Sequence, residues 1–236
     1  MATMLILAAV GARADDLQPS ALRVLVTAAV GLLSVLFWPG MAATPARTAW
    51  RVVAWSAAAA LLAAGVLRLT GQTMQPYAKI FSSCVMLLLI LLVAHALAAA
   101  LEARLRAGSD SAHGAREAAG RHVAMALVLL GSLPLWAGPL AELLSGRHEW
   151  TIAAAIGASP LTHLAVASGN DLLRNQWLYQ HANLAGLQFS YPGVFEVGVF
   201  YVLACLLLAL GAFVFGRWRR SVVGAIPSHP PPEKSP

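Results

Sequence analysis

The sequence predicts an all-α integral membrane protein, with about five transmembrane helices and one outer re-entrant or interfacial hairpin. Three observations lead there. Of 236 residues, 59% are hydrophobic and only 11% are charged, whereas soluble domains average about 25% charged. Mean hydropathy is +0.71. Long apolar runs recur along the chain, bounded by Arg, Asp, Glu or Pro. A soluble globular enzyme, a disordered chain and a disulfide scaffold are all excluded. A crossing takes roughly 20 apolar residues, so the length leaves no room for a separate soluble catalytic domain.

The spans follow in order. The first lies near 21–38, where Val24–Trp38 is apolar and Pro39 closes it. The second, near 52–69, is flanked by Arg51 and Arg68, whose long stems can snorkel to the interface. The third, near 79–101, is interrupted only by Ser82, Ser83, Cys84 and His95. The fourth, near 123–141, carries Pro134, Gly138 and Pro139, so its second half is expected to be irregular. The last, near 195–216, starts at Glu196 and ends in Arg217, Trp218, Arg219 and Arg220, a stop signal with an interfacial Trp. Residues 1–220 thus read as one polytopic domain, and the Pro-rich tail 221–236 as disordered.

Trp150–Asn170 contains no Asp, Glu, Lys or Arg and could be a sixth span. Charge argues against a crossing. The loop from Glu102 to His122 holds Arg104, Arg106, Arg116 and Arg121, and the tail holds Arg217, Arg219, Arg220 and Lys234. Both are expected inside the cell by the positive-inside rule, so an even number of crossings separates them. Spans 123–141 and 195–216 supply two. That leaves 150–170 within an outer hairpin, 142–193, which must be buried by protein or line a water-filled cavity because irregular backbone cannot face lipid. Counting back places the N-terminus outside, with the loop 39–51 inside and 69–79 outside.

The beginning of the chain has a short apolar stretch, Leu5–Ala12, then Gly11-Ala-Arg-Ala14 and Asp15-Asp16. This looks like a small-residue cleavage site without the positive n-region of a signal peptide. A cleaved leader, an interfacial segment and the end of a longer helix all remain open. The net charge is +6. Its basic residues lie beside apolar runs, where they set orientation, so no nucleic-acid partner is expected. Cys84 and Cys205 sit in apolar stretches and read as small hydrophobes.

Motifs for chemistry are sparse. The chain has no Gly-x-x-x-x-Gly-Lys-Ser/Thr loop, no His-Glu-x-x-His and no Cys-x-x-Cys. Polar residues gather between Arg147 and Tyr191, including His148, Glu149, His163, Asp171 and His181. The histidine spacings match no local ligand pattern, and Trp150, Trp177, Tyr179 and Tyr191 read as an interfacial aromatic belt. No catalytic, cofactor or metal site is expected, and no enzyme. His95 is the candidate intramembrane polar residue; its structural alternative is a neutral His bonded to a neighbouring helix.

The stretch Leu130–Arg174 resembles the ABC-2 type permeases, the membrane subunits of one class of ATP-binding cassette exporter. The matching positions are Ser159, Pro160, Leu161, Thr162 and His163, with Arg174 beyond and the last helix with its basic tail after it. The resemblance covers residues 123–220. It implies short outer helices between the last two spans, a separate ATPase subunit and pairing of permease subunits as a homodimer or heterodimer. It further implies alternating access in the cell inner (cytoplasmic) membrane, driven through the loops 39–51 and 102–122. Gly65, Ser82, Ser83 and Gly131 are the small residues available to line a path. The alternatives are an accessory or assembly subunit of a membrane complex without transport activity, and an intramembrane enzyme using His148, His163 or His181.

Overall fold

The computed structural model describes residues 19–69, 77–108, 111–143, 148–171 and 191–224. Expectations for residues 1–14, for Arg174 and for the tail beyond 224 fall outside them. Every regular element among the described residues is an α-helix: α1 (Pro19–Leu36), α2 (Pro45–Leu69), α3 (Tyr77–Arg106), α4 (Ala112–Leu143), α5 (His148–Ala158), α6 (Pro160–Ser168) and α7 (Val194–Gly224). Pro45–Leu69, Tyr77–Arg106 and Val194–Gly211 are long and apolar enough to cross a membrane, and Leu22–Leu36 is a shorter apolar helix.

Local chemistry sets the helix starts. Thr44 Oγ1 accepts from Arg47 N at 3.3 Å, and Pro45 fills the first helical position of α2, where a missing N–H costs nothing. Ser111 Oγ accepts from Gly114 N at 3.2 Å to open α4. Glu196 reaches back from the first turn of α7 to Gly193 N, at 3.1 Å, as the acid of a capping box does. This is a capping role that span reading alone assigns to no residue.

Two helices begin well before the spans expected of them. α2 begins at Pro45 rather than near 52, and α4 at Ala112 rather than near 123. The extra turns carry Arg47, Arg51, Arg116 and Arg121, which suit a helix end outside the hydrocarbon. α4 also continues through Pro134 and Pro139. Pro134 withholds an N–H from its own turn. Two carbonyls of the preceding turn also take side-chain donors, Leu129 from Ser132 Oγ at 2.9 Å and Gly131 from Ser159 Oγ at 3.2 Å.

α3 is the centre of the bundle and packs against α1, α2, α4, α6 and α7. Its buried stripe includes Leu87, Leu91, Ala94, His95, Ala98 and Glu102, recurring every three or four residues as a helix face must. Ser56, Ala59 and Ala63 form the facing stripe of α2, small enough to let two backbones approach. α7 meets α3 and α6, buries Val197 and Tyr201, and leaves Phe200, Leu203, Leu206, Leu207 and Leu210 exposed. Such a surface is incompatible with water and suits lipid tails. The chain is a helical membrane protein.

The connections alternate direction. At one end lie Trp38, Arg51, Glu102, Arg106 and Arg116, joined by contacts between the loop after α1, the end of α3 and the start of α4. At the other lie Arg23, Lys79, Ser83 and Ser168, from the starts of α1 and α3 and the end of α6.

Candidate functional site

Polar side chains meet inside the bundle in two places. The first is the break between α5 and α6. α5 packs against α4, and Ser159, the residue after α5, donates from Oγ to the Gly131 carbonyl midway along α4. Ser159 holds an extended backbone, φ −84° and ψ 115°, and its Oγ accepts from Thr162 N at 3.3 Å. Pro160 opens α6 at a position that needs no N–H and pushes Ser159 out of helical geometry. Capping and proline together break an apolar stretch whose halves, 11 and 9 residues, are each far short of a crossing.

α6 is then anchored at its far end. Gly169 closes it at φ 69°, a left-handed conformation that costs Gly little. Arg23, only 6% exposed, donates from Nε and Nη2 to the Ser168 carbonyl at 3.2 and 2.7 Å. A cation at a helix C-terminus meets the negative end of the dipole. Ser83 Oγ and Ser168 Oγ lie 3.0 Å apart, tying the same end to α3. Tyr191 donates to Asp171, which brings the start of α7 to this end as well.

His163 braces the pair from inside. Its Nε2 donates to the Gly157 carbonyl at 3.0 Å, because a carbonyl can only accept. Nδ1 therefore accepts from the Tyr201 hydroxyl of α7 at 2.9 Å. Both ring nitrogens are committed, so His163 positions helices. Leu161 packs over Gly131, and Thr162 is fully buried with no hydrogen bond to its Oγ1 among the described residues.

The second cluster surrounds His95. Ser56 Oγ lies 2.8 Å from the Val52 carbonyl oxygen and 2.8 Å from His95 Nδ1. His95 Nε2 is buried and makes no hydrogen bond among the described residues. The Trp38 ring stacks on the imidazole, with centroids 5.3 Å apart and planes at 20°. Trp38 Nε1 donates to Glu102 Oε2 at 2.9 Å, and Met41 N donates to the same oxygen at 2.9 Å. Arg106 pairs with Oε1. Glu102 is 0% exposed, so it belongs to the buried face of α3 and not to the loop that the sequence suggested. Arg51 completes the loop's restraint, donating to the Gly40 and Met41 carbonyls at 3.3 and 3.2 Å.

Trp38, Glu102 and Arg23 escaped sequence reading. Glu102 stands seven residues after His95, which puts both on one helix face and was legible. Arg23 and Ser168 are 145 residues apart, and no local pattern could pair them. The expected path-lining residues are dispersed: Gly65 faces open space, Gly131 lies under Leu161, and Ser83 is bonded to Ser168. No group of three His, Cys, Asp or Glu side chains could hold a metal ion among the described residues.

Comparison with protein-family models, curated proteins and solved structures finds no match for this chain. Its class therefore rests on its own physics: an all-α protein whose apolar helices are built for a bilayer.

Proposed function

We propose that the chain is the membrane-spanning permease subunit of an ABC-2 type ATP-binding cassette transporter in the cell inner (cytoplasmic) membrane, working with a separate ATPase subunit. One observation carries the reading. Between the last two long helices the chain makes a short helix pair, broken at Ser159–Pro160, that runs down α4 and returns toward Arg23 and Lys79. The family that Ser159–His163 resembles has short outer helices at this point.

In this reading α1, α2, α3, α4 and α7 are the spans and α5–α6 is a re-entrant pair on the outer side. The end bearing Arg51, Arg106, Arg116 and Arg121 faces the cytoplasm, in keeping with the positive-inside bias. The loop after α1, held by Glu102, and the loop between α3 and α4 face the ATPase. Closure of two ATPase subunits would tilt a pair of such bundles, and the packed α3 stripe would transmit the motion as a rigid element.

The test is copurification. The chain, extracted in mild detergent from its native membranes, should bring an ATP-binding cassette ATPase with it. The isolated chain, having no phosphate loop, should hydrolyse no ATP. An intact chain that never retains an ATPase, or that hydrolyses ATP alone, defeats the assignment.

A further inference from the structure

We infer that the basic end of the bundle carries a site for the phosphate of an anionic glycerophospholipid, between the end of α1 and the first turns of α4. A half-open cleft of about 340 Å³ lies there. It forms because α1 stops at Leu36 while α4 runs past it, pressed close at Gly120, where a Cβ would stand 2.9 Å from the Val35 carbonyl oxygen. Phe37, Trp38 and Pro39 make one wall; Arg116 and Arg121 stand on the other with Glu117.

The charges favour an anion. Arg121 uses Nε on the Glu117 carbonyl at 3.4 Å, leaving its terminal nitrogens without an acid partner among the described residues. Among the described residues Arg116 bonds from Nη2 to His113 Nδ1 alone, at 3.1 Å. The other ring nitrogen of His113 lies 2.8 Å from the Glu117 carboxylate, so the one acid lining the cleft has a partner on its own helix. The two arginines thus outnumber the acid, and the terminal nitrogens of Arg121 with the remaining donors of Arg116 match phosphate oxygens.

The apolar wall decides for a lipid over a free phosphate compound. Phe37 is 71% exposed and Leu36 42% exposed, beside the arginines. A soluble anion would leave these side chains uncovered, whereas the glycerol and first methylenes of a lipid would cover them. Basic pockets between helices at the cytoplasmic surface are where anionic head groups bind. The inference rests on that end of the bundle lying at the membrane surface, and it needs no ATPase.

Native mass spectrometry of the full chain in detergent tests it, with phosphatidylglycerol or phosphatidylcholine added in equal amounts. Wild type should retain phosphatidylglycerol in preference. Arg116→Gln with Arg121→Gln should remove that preference, with affinity falling about fivefold per arginine, equivalent to ~1 kcal/mol each. Arg47→Gln with Arg104→Gln removes equal charge from the same end outside the cleft and should leave retention unchanged. If the double cleft variant does not fold, Arg121→Gln alone carries the comparison, since that side chain is exposed. Undiminished retention in the cleft variants, or an equal loss in the control pair, overturns the site. Displacement of the lipid by millimolar glycerol 3-phosphate or inorganic phosphate overturns the lipid as its occupant.

Discussion

Glu102→Ala isolates the contact that joins the loop after α1 to α3. In the structure the carboxylate takes donors from Trp38 Nε1 and Met41 N and pairs with Arg106. Removing it strands the buried indole N–H, at ~1–3 kcal/mol, with a smaller cost at the partly buried Met41 N–H. The Arg106 side chain is 37% exposed and can rehydrate, so its pairing adds little to the loss. The sum is ~2–4 kcal/mol. For a chain of this size each kcal/mol moves the melting temperature by about 2–4 °C, so the midpoint should fall by about 5–15 °C. Thermal unfolding in detergent, followed by a thiol-reactive dye at the two free, half-buried cysteines Cys84 and Cys205, reads the shift directly. Glu102→Gln keeps an oxygen for Trp38 and Met41 and should fall less than half as far. An alanine variant that melts within about 2 °C of wild type, or a glutamine variant that falls equally, refutes the argument that stranded donors dominate.

Three further expectations concern the re-entrant pair and its neighbours. Ser159→Ala deletes the cap of α6 and the bond to Gly131, and should cost ~1–2 kcal/mol, seen as a lower melting point without loss of insertion. Cysteines introduced at 112 should react with impermeant reagents only from the cytoplasmic side, and those at 148 and 181 only from outside; labelling of 148 and 181 from opposite sides would show that 150–170 crosses. His163→Ala removes the acceptor of the Tyr201 hydroxyl and the donor to the Gly157 carbonyl, and should cost ~1–3 kcal/mol, read as a lower melting point; a midpoint within about 2 °C of wild type would show that His163 does not brace the pair.

Much of this protein was written in the linear order of residue types. The membrane class follows from apolar runs that water cannot solvate, and helices follow because a bilayer offers no other partner for the backbone. Pro39 closes α1 and Pro160 opens α6 through local sterics, which need only neighbouring residues. Tertiary structure decided the rest. α4 continues through Pro134, and its Gly131 carbonyl takes a hydroxyl from Ser159, which arrives from the break between α5 and α6. Glu102 reads as a loop residue until Trp38 and Met41 close over it, and Arg23 reads as a boundary charge until the end of α6 comes within reach of its guanidinium. The reason is physical. Hydrophobicity and backbone geometry act over a few residues, whereas a buried charge is tolerated only beside partners that folding brings from far along the chain.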